Sequence, residues 1–156
     1  MEKLVGIFSK LVATAGIFFG FYYLGDAPLI SLRIVTFTTV GIVGVLAFVC
    51  HFVFHTQNAA RLGWETNRPD WMFEVGFANL AFGGMGLLAA GRDWDLQAQV
   101  VVLLGYALYL FQAAMLHGYR YFTAKEKSRA RLWSGVVSTL VLVGMMTFFA
   151  LHALIL

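Results

Sequence analysis

Apolar residues fill this chain in five long runs, Leu4 to Leu24, Ile34 to Phe54, Met72 to Ala90, Val100 to Gly118 and Leu132 to Leu156. Each is long enough to cross a bilayer as a helix, which takes about 20 residues. The gaps between them carry turn and charge signals: Gly25-Asp26-Ala27-Pro28, the polar stretch Gln57 to Asp70 with Pro69, Gly91-Arg92-Asp93-Trp94-Asp95, and the basic segment Arg120 to Arg131. Strand-length segments of alternating polarity do not occur, which excludes a β-barrel. Helices are the remaining way to satisfy the backbone in hydrocarbon. The pattern therefore predicts an all-α, polytopic transmembrane helical bundle, with residues 1–156 as a single integral membrane domain. Lys3 and Lys10 ahead of an apolar stretch also describe a secretory signal peptide. The bulky Phe18, Phe19, Phe21, Tyr22 and Tyr23, followed by a poor cleavage site at Gly25-Asp26-Ala27, favour a retained helix instead.

Composition supports this class. The chain is 60% hydrophobic and only 12% charged, with a mean hydropathy of +0.78, too little polar surface to cover a soluble globule. The net charge of +3 brings no basic patch or motif for nucleic acid. Its distribution carries the information. With the N-terminus inside, Lys3, Lys10, Arg61, Arg68, Arg120, Lys125, Lys127, Arg129 and Arg131 fall on the cytoplasmic side, against Arg33 and Arg92 outside. The positive-inside rule then places the C-terminus outside, and in a bacterium the membrane is the inner one. Trp64, Trp71, Tyr119, Tyr121 and Trp133 mark the inner boundary, and Tyr22, Tyr23 and Trp94 the outer. The single cysteine, Cys50, cannot form an intramolecular disulfide and reads as a small buried hydrophobe.

Helical phase sorts the polar residues. His51 and His55 lie about 40° apart on the second helix, on the same side as Gly44 and Ala47, so that side should meet protein. On the fourth helix Tyr106, Tyr109, Gln112, Ala113 and His117 share a polar stripe expected to face the bundle. Gly76, Asn79, Gly83, Gly86 and Ala90 form one face of the third helix, a tight packing surface against another helix or another copy of the chain. Glu74 projects about 140° away from Asn79, so the two cannot line one narrow pocket. His152 is at the outer end of the fifth helix, separated by depth from the inner group.

His51, His55, His117 and Glu74 together have the chemistry of a divalent metal site, zinc or iron. His-Glu-x-x-His and Glu-x-x-His pairs are absent, and the bland alternative is interfacial histidines bonded to loop carbonyls or lipid phosphate. Non-covalent haem between His51 or His55 and His117 is a further possibility. Glu74 has a structural account as an acid near a helix start at Pro69-Asp70 and a functional one as an intramembrane carboxylate. Gln112 and Asn79 read as interhelical hydrogen bonders, and Tyr106 and Tyr109 as packed aromatics.

The segment Phe73-Glu74-Val75-Gly76-Phe77-Ala78-Asn79-Leu80-Ala81-Phe82-Gly83, with Gln112-Ala113-Ala114-Met115-Leu116-His117-Gly118, resembles a bacterial family of small multi-helix membrane proteins known only as a domain of unknown function. The likeness covers the third and fourth helices. It implies that Glu74, Asn79 and His117 occupy that family's recurrent polar positions, and it implies no substrate or reaction. Three functions stay open. One is a metal or small-ligand pocket at the cytoplasmic end, built from His51, His55, Glu74 and His117 with Tyr109 and Gln112 beside it. Another is a proton-coupled carrier or channel using Glu74 and His117, acting as a homo-oligomer through the Gly76, Gly83, Gly86 face. The third is an accessory or assembly subunit whose polar residues only fix packing.

Overall fold

The computed structural model describes residues 1–62, 69–92, 94–124 and 127–155. Trp64, Arg68, Lys125 and Leu156, used above for topology, lie outside the described residues. Among the described residues the chain is helical throughout: α1 Glu2–Tyr23, α2 Pro28–Phe52, α3 His55–Leu62, α4 Asp70–Gly91, α5 Leu96–Thr123 and α6 Arg129–Leu154. All but α3 are long and apolar enough to cross a membrane.

All five long helices start before their hydropathy runs, and α2 and α5, with the earliest starts, do so for local reasons. Pro28 opens α2, because its fixed φ suits the first helical turn and that turn needs no N–H. Arg33, expected in a loop, is thus helical, and its Nε donates to the Ala90 carbonyl at 2.6 Å, near the C-terminal end of α4. Asp95 caps α5, its Oδ1 accepting from the Ala98 N–H at 2.7 Å, so this helix begins before Val100. α3 departs from expectation altogether. Its polar sequence reads as loop, yet Asn58 and Ala59 are buried while Thr56, Gln57, Ala60 and Arg61 are exposed. One buried face among polar residues is what an amphipathic helix shows.

Helices apolar enough to cross a membrane gain little by leaving lipid tails, which are as apolar as leucine, so contacts between them rely on close packing. α2 and α4 achieve it through glycine. A methyl added to Gly83 would lie 2.8 Å from the Val45 backbone N, and one added to Gly44 would lie 2.8 Å from Gly83 Cα. Gly76, Asn79, Gly83, Gly86 and Ala90 are all buried, so the small face of α4 is used inside the chain, against α2. Of the two occupants expected for the Gly76, Gly83, Gly86 face, another helix or another copy of the chain, α2 is the one in contact with it here. α1 closes on α2 the same way, with Gly16 against Thr38, Gly20 against Val35, and Ser31 Oγ donating to the Gly20 carbonyl at 2.7 Å.

Both α2 and α6 contain a wider turn with i to i+5 hydrogen bonding, at Thr36–Ile42 and Trp133–Val137. Such turns insert one residue and shift the helical phase beyond them. The first sits where α2 meets Gly86 of α4, and the second places Gly135 against the His117 ring of α5. The apolar centre, with Leu32, Val35, Leu103, Tyr106, Met146 and Phe149, lies among α2, α5 and α6.

Candidate functional site

Two polar clusters are built into the bundle. The first is within the spans. Asn79 of α4 is 3% exposed and Tyr106 of α5 is fully buried. The Tyr106 hydroxyl donates to Asn79 Oδ1 at 2.8 Å. Asn79 Nδ2 donates to the Val75 carbonyl at 2.8 Å and to the Tyr109 hydroxyl at 3.0 Å. Tyr106 and Tyr109 stack with centroids 5.9 Å apart, and Phe82 lies against both rings. The acceptor and both donors of the Asn79 amide are engaged, so this network is closed, and its effect is to lock α4 to α5.

The second cluster is at the end where α1, α4 and α6 begin and α2 and α5 finish. Here α3 lies against the start of α1. Arg61 Nε donates to Glu2 Oε1 at 2.8 Å, with the Glu2 side chain 8% and the Arg61 side chain 42% exposed. Arg61 Nη2 donates to Asn58 Oδ1 at 2.7 Å. That contact fixes the Asn58 amide, because a guanidinium only donates and must face the oxygen. Asn58 Nδ2 is then left without a partner at a residue 1% exposed. Leaving a buried donor unmet costs about 1–3 kcal/mol. Among the described residues Thr36 Oγ1 and Gln99 Oε1 are also buried without a partner, and Asn58 Nδ2 is the one that sits beside the Arg61 and Glu2 pair. His51 and His117 are half-buried at the same end, and His117 is within electrostatic reach of His51, Arg61 and Arg120.

The expected site residues divide between this cluster and the outer surface. His51 faces α4, its Cβ 3.5 Å from where a methyl on Gly76 would sit. Its Nδ1 donates to the Ala47 carbonyl at 2.8 Å, leaving Nε2 as acceptor in the neutral ring. His55 is not on the same helix. α2 ends at Phe52, a turn intervenes, and His55 begins α3, with its Nδ1 on the Phe52 carbonyl at 3.0 Å and its ring edge-on to Phe73. The four-residue spacing therefore gives no shared face. Glu74 is exposed, and among the described residues no hydrogen bond or ion pair reaches its carboxylate. Gln112 is exposed too, so the α5 stripe faces inward at Tyr106, Tyr109 and His117 but not at Gln112. His152 stacks on Phe148 near the far end of α6.

The fit of a zinc or iron ion to His51, His55, His117 and Glu74 follows from these positions. Among the described residues no three His, Cys, Asp or Glu side chains come close enough to hold a metal ion. One imidazole has moved to α3 and the carboxylate points off the bundle, so the donor set does not assemble. An apolar groove of about 330 Å³ between α5 and α6, lined by Leu104, Ala107, Leu108, Phe111, Val143 and Thr147, lacks charged groups. Sequence reasoning missed Glu2, Asn58 and Arg61 as a group. The signal for them was the apolar Ala59 and Leu62 among the polar residues of Gln57 to Asp70, which gives α3 its buried face.

No curated protein and no solved structure matches the chain. One family does, and over far more than the two helices on which the resemblance rested: its sequence pattern matches residues 5–154, which takes in α2, α3, α4, α5 and α6 and nearly all of α1. The chain belongs to the family described as Family of unknown function (DUF6790).

Proposed function

We propose that this is an integral membrane protein that binds a small polar ligand at the end of the bundle where α3 meets the start of α1. The observation that carries this reading is the unpartnered Asn58 Nδ2, buried beside the Arg61 and Glu2 pair. A donor kept dry and unmet is a standing cost that a ligand acceptor would remove. In this reading His51 and His117 line the approach, while Glu74, His55 and Gln112 take no part. The charge asymmetry supports a cytoplasmic position for this end, with the N-terminus inside, the C-terminus outside, and the inner membrane of a bacterium as the setting.

A thermal-stability screen of the purified protein in neutral detergent tests it, using a panel of phosphate-bearing, carboxylate, neutral and cationic small molecules. At 100 times its Kd a ligand stabilises the folded form by about 2.7 kcal/mol. At least one compound should raise the unfolding temperature of the wild type but not of Asn58→Asp. A panel that leaves the wild type unchanged throughout contradicts the reading.

One observation favours a second reading, an accessory subunit: the closed Asn79, Tyr106 and Tyr109 network has the character of a packing device. A flat screen together with recovery of the protein in a stable complex would support that reading over ligand binding.

A further inference from the structure

The arrangement around Arg61 also indicates what kind of ligand the site takes, an inference that rests on the ligand-binding reading above. Among the described residues the groups joined here are two donors, the open Asn58 amide N–H and the Arg61 guanidinium, and one anionic acceptor, the Glu2 carboxylate. Such a set repels a cation and attracts an oxyanion. Glu2 itself shows how one would sit. Its carboxylate puts one oxygen on Arg61 Nε and leaves Asn58 Nδ2 unmet. A tetrahedral phosphoryl group carries more acceptor oxygens than a carboxylate, enough to take the Arg61 fork and the Asn58 amide together. The charge exposed at this bundle end is mainly of the right sign, Lys3, Arg120, Lys127, Arg129 and Arg131 against Asp70 and Glu74.

We propose that this end of the bundle is a phosphoryl-binding site in which the Glu2 carboxylate competes with the incoming group for Arg61. Binding releases Glu2 from the guanidinium and gives Asn58 Nδ2 its missing acceptor. The site is at the end of the spans, where a phospholipid headgroup and a dissolved phosphate can both reach it. Both sources offer phosphoryl oxygens as acceptors, all four on free phosphate and the two non-bridging ones on a phosphodiester headgroup.

Calorimetric titration of the full chain in neutral detergent distinguishes them, with two probes: inorganic phosphate and a short-chain phosphatidylglycerol. At least one should bind. Affinity should fall at least about tenfold in Arg61→Gln and in Asn58→Asp, the loss of about one charge-assisted hydrogen bond. Glu2→Gln should act in the opposite direction and tighten binding by about tenfold, because it removes the competing charge while keeping the side-chain length. A contact with a merely structural role would weaken binding, or leave it unchanged, when Glu2 is altered. This opposite sign also keeps the test decisive if Arg61→Gln or Asn58→Asp fails to fold. Binding of phosphate alone assigns a soluble ligand, and binding of the lipid alone assigns a headgroup. No binding of either probe, or binding by Glu2→Gln no tighter than that of the wild type, overturns the proposal. If the wider screen finds a neutral or cationic compound whose effect needs Asn58 while both phosphate probes fail, the phosphoryl assignment falls and the ligand-binding reading stands.

Discussion

Asn79 and Asn58 are both buried asparagines, yet their amides are used differently. Asn79 has its oxygen on Tyr106 and its nitrogen on Val75 and Tyr109. Asn58 has its oxygen on Arg61 and its nitrogen on nothing. The closed amide is near the middle of α4, and the open one is at the bundle end beside a half-exposed arginine. Burial alone therefore does not mark a site in a membrane bundle. A buried polar group that is fully partnered specifies which helices pack, and one left open at an accessible end has capacity for a ligand.

The largest effect should come from breaking the frame that both amides share. Gly83→Val places a branched side chain where a single methyl already meets backbone, and should cost at least about 3 kcal/mol in a reversible unfolding measurement, beyond ordinary overpacking. If Gly83→Val unfolds like the wild type, α2 and α4 do not meet through glycine. Next comes the closed network. Asn79→Leu strands the buried Tyr106 hydroxyl and should cost about 1–3 kcal/mol, whereas Asn79→Leu combined with Tyr106→Phe should recover much of that loss. Simple addition of the two single effects would show that the hydrogen bond at 2.8 Å is not what joins these helices.

Asn58 should respond in the other way. Asn58→Leu gives up one bond from Arg61 and also removes the unmet donor, so stability should change by less than about 1 kcal/mol while ligand stabilisation disappears. A loss as large as that of Asn79→Leu would place Asn58 with the packing residues. The smallest effect belongs to Glu74→Gln. On an exposed position it should shift stability by no more than about 0.5 kcal/mol and leave the ligand response intact. Abolished binding in that variant would restore Glu74 to the site.

Particular residues show how far the chain discloses this in advance. The five spans are legible because about 20 apolar residues have no soluble alternative in so hydrophobic a chain. The small face of α4 is legible from phase, and Gly76, Asn79, Gly83, Gly86 and Ala90 are all buried as that phase requires. Phase gives relative angles and not which side faces inward, so the sequence alone leaves Glu74 a candidate although its side chain is exposed. His51 and His55 look like one face only if the helix runs through both, and the turn at Val53-Phe54 that separates them has no glycine or proline to announce it. α3 reads as loop by its polarity, and its buried face, Asn58 and Ala59, is too short to stand out as an apolar run. The link from Glu2 to Arg61 spans 59 residues, a separation that no local pattern encodes.

The contrast between the two asparagines can be tested in one measurement: the ligand-induced rise in unfolding temperature, taken side by side for Asn58→Asp and Asn79→Leu. The account predicts that the rise vanishes in Asn58→Asp and persists in Asn79→Leu, whose unfolding temperature is lower throughout. Persistence in Asn58→Asp with loss in Asn79→Leu would contradict it and move the site into the spans.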